Sequence, residues 1–182
     1  MGTVSNVSTG KPGVAGAVYV QESASAALPT SVTAEKPSGF KDLGYVSDAG
    51  VVNSNAITSN SIQAWGGDTV ISTETAKTDT FAFTLIEAKN ADVLAEIYAG
   101  DGNVATADGT TTVKATSAVH EAKKWVIDMI MTDDTLKRIC IPAGTITSVG
   151  DVTYADNSAI GYNITITCAP DENGVTHYEY IK

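Results

Sequence analysis

The sequence is poor in the side chains that usually do chemistry. Its 182 residues include two histidines, two cysteines and five prolines. His120 and His177 are far apart and join no His/Cys cluster, so the spacings of a zinc site are missing. There is no nucleophile elbow, and Gly10-Lys11 lacks both the upstream glycine and the following Ser/Thr of a phosphate loop. Asp101, Asn103 and Asp108 do not follow calcium-loop spacing and read as a Gly/Asp turn. Basic side chains are also scarce, with 11 Lys+Arg against 21 Asp+Glu and a net charge of −10. A phosphate backbone is gripped by clustered cations, so this balance argues against nucleic-acid binding. An acidic or neutral wall that DNA slides past remains open. No apolar run approaches the roughly 20 residues of a membrane span. The N-terminus has no basic segment followed by an apolar one, so no secretory signal is expected. Cys140 and Cys168 accordingly read as two core thiols rather than a disulfide. Neither an enzyme nor a bound cofactor or metal is expected.

What the chain does have is Thr, Ser, Asn and Gly on its surface. It is 43% hydrophobic but only 18% charged, a β-rich globular composition with material for one domain. Residues 1–16 form a glycine-rich arm, carrying Val4, Val7 and Lys11, that is too apolar-poor to fold alone; residues 17–182 read as a single β domain. Ala17–Gln21, Phe40–Ser47 and Val51–Ala64 are predicted strands. A turn at Asp48-Ala49-Gly50 separates the last two, and Glu22–Gly39 is a long loop. From Thr80 to Ile86 the side chains alternate: Phe81, Phe83 and Leu85 point one way, Thr80, Ala82 and Thr84 the other. Asn90 then caps a short helix, ADVLAEIYA, with Val93, Leu94 and Ile97 as its apolar stripe and Gly100 as its stop. Ser117–Lys124 is expected to add a turn or two of helix.

The C-terminal half repeats the strand pattern. Trp125–Met131 alternates around a single acid, Asp128. Asp133-Asp134 turns the chain into LKRICIPAGTITSV. Ile160–Cys168 alternates with Gly161, Asn163, Thr165 and Thr167, and Asp171–Gly174 turns into a last strand that leaves His177 exposed. The fold class is mainly β, an antiparallel sandwich or barrel with one short packed helix.

Two stretches leave alternatives open. In Gln63–Glu87, QAWGGDTVISTETAKTDTFAFTLIE, a strand far longer than the usual five or six residues follows a tryptophan on a Gly-Gly turn. Either Trp65 reaches a neighbouring molecule or it folds back on its own core. Asp128 either faces an open polar surface or is a core acid paired with a nearby Lys or Arg.

The segments PSGFKDLGYVSDAGVV and SNSIQAWGGDTVISTETAKTDTFAFTLIEAKNADVLAEIYAGDGNV, spanning Pro37 to Val104, resemble the major tail proteins of long-tailed, non-contractile bacteriophages (siphoviruses), in particular those infecting actinobacteria. The C-terminal half follows more loosely, through its strand order. The resemblance implies a structural virion protein whose hexameric rings stack into a hollow tail tube, the fold being shared with contractile-tail and type VI secretion tubes. It implies passage of double-stranded DNA without specific binding during ejection. It also implies tail tip, tape measure and tail terminator proteins as partners, assembly in the host cytoplasm, and no membrane. On this reading Trp65, Gly66, Gly67 and Asp68, with Val4, Val7 and Lys11 of the arm, lie at subunit interfaces. Asp128, Thr80, Thr84, Asn163 and Thr165 face the lumen. Many relatives add an immunoglobulin-like domain, for which residues up to Lys182 leave no room. The rival reading is a β-sandwich surface-binding module of the adhesin or spike kind; it would place aromatic clusters in loops that here hold mostly Gly, Ala, Thr and Asp. A small hydrolase is disfavoured by the missing constellation.

Overall fold

Strands with one apolar and one small polar face bury their large side chains by joining edge to edge over a common core. The computed structural model describes residues 2–182, with Asp101 by its backbone alone, and shows that arrangement. The strands are β1 (Gly10–Pro12), β2 (Val18–Gln21), β3 (Phe40–Asp42), β4 (Val46–Gln63), β5 (Thr69–Leu85), β6 (Val104–Ala107), β7 (Thr110–Val113), β8 (Lys123–Met131), β9 (Leu136–Val149), β10 (Tyr162–Ala169) and β11 (Tyr178–Ile181). Nine of them form one antiparallel sheet in the order β3-β2-β8-β9-β10-β5-β4. β1 and β2 lie end to end along one edge of β8, and β10 and β11 share an edge of β9. β6 and β7 make a separate hairpin.

The main core gathers Val18 and Val20, Phe81, Phe83 and Leu85, Trp125 and Ile127, Ile139 and Ile141, and Ile164 and Ile166 under the helix α1 (Ala91–Ile97). As its sequence indicates, the Asn90 side chain accepts from the Asp92 backbone N–H at 3.0 Å. Val93, Leu94 and Ile97 face the sheet. Glu96 on the same helix is buried and held by Lys123, at 2.7 Å, and by Lys41, at 3.5 Å, which ties α1 to β8 and β3. On the opposite face of β2, β8 and β9 a second cluster, Tyr19, Val126 and Cys140, packs under Ala26 and Leu28 of the loop that runs from Glu22 to Gly39. The loop therefore acts as a lid over this face of β2, β8 and β9.

Three expectations change. Asp48-Ala49-Gly50 does not split two strands. β4 runs through it as a wide irregularity, with pairing jumping from Val46↔Leu85 to Val51↔Phe83, and Gly50 takes the positive φ of 71° that this path requires. Ser117–Ala122 is irregular rather than helical, because the chain there is already extending into β8. The arm is not wholly free: Gly10–Pro12 pairs with Met129–Met131. In β9 an extra residue between Ile141 and Gly144 switches which side chains face the core. Gly144 is needed there, since a Cβ would sit 2.7 Å from Ile166 and 2.8 Å from the Trp125 ring, whose Nε1–H donates to the Gly144 carbonyl.

Candidate assembly surface

The β4–β5 hairpin leaves the body of the protein. β5 is paired on both sides only as far as Asp79, which faces Cys168 of β10. Beyond it, Ala56–Gln63 and Thr69–Thr78 pair with each other alone. At the strand rise of about 3.3 Å per residue, the stalk is roughly 26 Å long. Every residue on it is exposed. Its turn is closed by the Ala64 N–H donating to the Asp68 carbonyl and the Gly67 N–H donating to the Ala64 carbonyl. Gly66 and Gly67 adopt φ of 120° and 98°. Trp65 stands at this tip, fully exposed, and does not fold back on the core. Ile62 and Ile71 face each other across the hairpin just below it, 56% and 49% exposed, next to Val70 at 62%. The end of the stalk is thus an apolar patch that none of the described residues covers. Trp65 was legible in the sequence; the isoleucine pair became visible only once the register was known.

Four of the five residues placed at a lumen by the sequence lie on one surface. Thr84 faces Asn163 across the β5–β10 ladder, Ala82 faces Thr165, and Thr80 faces Thr167. The Asn163 side-chain amide donates to the Thr84 hydroxyl at 3.0 Å. Thr145 and Thr147 of β9 continue the surface, with the Thr147 and Thr167 hydroxyls 2.8 Å apart. None of these side chains is charged. They form a hydroxyl and amide face on the side of the sheet away from the main core.

Asp128 is not among them. It lies on β8 directly opposite Arg138 of β9, with Oδ1 2.7 Å from Nε and Oδ2 2.7 Å from an Nη. Arg138 is 3% exposed, and its second role is to donate to the carbonyls of Ser31, Thr33 and Glu35 in the covering loop. This is a bidentate pair beneath a lid. A carboxylate so engaged does not present itself to an open wall, which corrects its assignment to the lumen. The alternation was read correctly but not the cover, because nothing local in the sequence says that Glu22–Gly39 folds over this face. The Asp128 carboxylate pushes the Arg138 guanidinium above its ordinary value.

On the arm, Val4 and Val7 are exposed beside a short 3-10 turn, and Lys11 sits opposite Ile130 with its side chain exposed. The segment lies along the sheet edge rather than in the core. His177 is not an exposed strand residue. It is half-buried, its Nδ1 is 2.5 Å from Asp79, and its ring meets Phe81 edge-on at 5.2 Å. Burial pushes the Asp79 carboxyl up, but hydrogen bonds from Thr176, His177 and Asn53 outweigh it and hold it below the usual range. His120 lies in a cleft beside Glu96 and Lys123, where burial lowers its affinity for a proton. Glu96 is already occupied by two lysines. Cys140 and Cys168 are free and buried, and burial pushes both thiols up to about 12, the opposite of an activated nucleophile. Among the described residues no group of three or more His, Cys, Asp or Glu could hold a metal, and no helix is long and apolar enough to cross a membrane.

A continuous antiparallel sheet with an uncharged open face and an apolar-tipped projecting hairpin defines a β-rich structural subunit. A family model described as phage tail tube protein matches residues 6–182. The chain belongs to that family and is a structural tail tube protein, a component of the phage virion tail. No curated protein matches it.

Proposed function

We propose that this protein forms hexameric rings that stack into the hollow tail tube of a long-tailed, non-contractile phage, and that genomic DNA passes through the tube during ejection. The observation that carries this reading is the hairpin. A two-stranded ribbon is marginal in water on its own, and a long open strand edge invites pairing with another chain. Here β4 is the last strand of the sheet and runs 18 residues, ending in an exposed apolar tip. Burial against further copies of the chain resolves all three features at once. Trp65, Gly66, Gly67 and Asp68 then meet a neighbour, and Val4, Val7 and Lys11 of the arm meet another part of the assembly.

The Thr/Asn face, with Thr80, Thr84, Asn163 and Thr165, suits the lumen wall. Each cation offered to phosphate adds affinity and slows passage, whereas these side chains are uncharged, and Asn163 is bonded to Thr84 and Thr147 to Thr167. On this reading the partners are tail tip, tape measure and tail terminator proteins, and assembly takes place in the host cytoplasm. The test is negative-stain microscopy and sedimentation of the purified protein over rising concentration. Tubes whose end views average to six-fold symmetry are expected. Compact monomers at every concentration, with tail initiators present as well as absent, would overturn the reading.

A further inference from the structure

We infer that Asp79 clamps the root of the hairpin to the C-terminal segment, so that Thr176 and His177 set the direction and stiffness with which β4 and β5 leave the body. Asp79 is the last residue of β5 held on both sides, between Asn55 of β4 and Cys168 of β10. Beyond it, among the described residues, the ribbon pairs with itself alone. The carboxylate is 2% exposed, yet it accepts from three directions: Oδ1 from the Asn53 side-chain amide at 2.8 Å, and Oδ2 from the Thr176 hydroxyl at 2.7 Å and from His177 Nδ1 at 2.5 Å. These partners are separated from Asp79 by 26, 97 and 98 positions in the chain.

A buried carboxylate is costly to desolvate, and an apolar side chain would serve the packing beside Phe81 at least as well. What an apolar side chain would lack is direction. Charge-assisted hydrogen bonds are short and oriented, and these three join β4, β5 and the approach to β11 at one atom group. The far side of the clamp is itself anchored. Tyr178–Ile181 pairs with Lys137–Cys140 of β9. The preceding turn is closed by Asp171, which accepts from the Asn173 and Val175 backbone N–H groups and from the Tyr178 hydroxyl. The other charged groups facing His177 are Glu179, 4.0 Å from Nε2, and behind it Lys137, which pairs with Glu179. The C-terminal segment is therefore a strut that carries the position of β9 to the base of the stalk.

This is a property of the single subunit and stands apart from ring assembly. The test is hydrogen exchange by mass spectrometry on the full-length protein at a concentration where it is monomeric. In the double variant Thr176→Val/His177→Phe, which keeps a ring beside Phe81 but removes both donors, amides at the hairpin root, residues 53–57 and 77–81, are expected to exchange about tenfold faster, as loss of hydrogen bonds to a buried charge requires. Amides of β2 and β8 are expected to keep their rates. Asp79→Asn should produce the reciprocal loosening of residues 176–181. Unchanged root exchange in the double variant overturns the inference, as does acceleration shared equally with β2 and β8. Should Asp79→Asn fail to fold, the double variant alone decides, since its two side chains are only half-buried. Absence of tubes from the unaltered protein would refute ring assembly and leave this result standing.

Discussion

Trp65→Ala separates a folding role from an assembly role more cleanly than any other change. In the subunit, Trp65 is fully exposed on a turn closed by backbone hydrogen bonds of Ala64, Gly67 and Asp68, none of which uses its side chain. Surface substitutions of that kind stay within about 0.5 kcal/mol, so the melting temperature should move by no more than about 2 °C. In an assembly the same indole has about 200 Å² to bury. At about 25 cal/mol per Å² the full burial is worth about 5 kcal/mol, and a tip contact realising half of it is worth about 2.5 kcal/mol, within the range of interface anchors. Since 1.4 kcal/mol is a factor of ten, each contact should weaken about fifty- to a hundredfold. Every added subunit repeats the loss, and the critical concentration for polymerisation should rise by a similar factor. Pelleting assays across a concentration series measure it, with circular dichroism melting of the unassembled fraction alongside. A variant that polymerises at the original concentration refutes the reasoning. So does one that melts many degrees lower, because that would place the indole in the subunit's own packing.

Other changes test the remaining contacts. Deleting residues 1–9 should change melting little, as the side chains of residues 2–9 are exposed and the bonds of Ser8 and Thr9 to Thr132 lie at the surface, yet reduce tube yield in the same pelleting assay. Deletion through Pro12 should also lower the melting temperature, because the β1 ladder with Met129–Met131 is lost. Asp128→Ala leaves Arg138 buried without its carboxylate and should cost about 3 to 5 kcal/mol in denaturant titration; Asp128→Lys, setting a second cation against Arg138, should prevent folding. Asp79 is held below the ordinary carboxylate range, so its contribution to stability is fully present above that range and is lost as pH falls through its folded value. Acid unfolding should therefore steepen below about pH 4, and Asp79→Asn should flatten that limb when melting temperature is plotted against pH. Neither Cys140 nor Cys168 should react with a thiol reagent at pH 8 until the protein unfolds, since burial holds both near 12.

Much of this protein was written locally. The two-residue alternation of Thr80–Leu85 and Tyr162–Cys168 sorts side chains between core and open face whatever the strands pair with. Asn90 and the stripe Val93, Leu94 and Ile97 specify a capped helix within eight residues. The improbable length of Gln63–Glu87 marks an overlong hairpin before any contact is known, though not which way its tip turns, and the scarcity of His, Cys and basic groups turns attention from chemistry to surface. These signals are short-range, so the sequence alone determined them. Tertiary structure decided what lies between distant segments. Asp48–Gly50 has the composition of a turn but becomes an irregularity in a continuous strand, because pairing with β5 holds both sides in line. Asp128 sits in an alternating strand like any polar-face residue, yet it is buried, because the loop Glu22–Gly39 crosses its face and Arg138 lies opposite. His177 meets Asp79 across 98 positions. Local periodicity states which way a side chain points relative to its own strand; only the folded arrangement of the other segments states what it meets there.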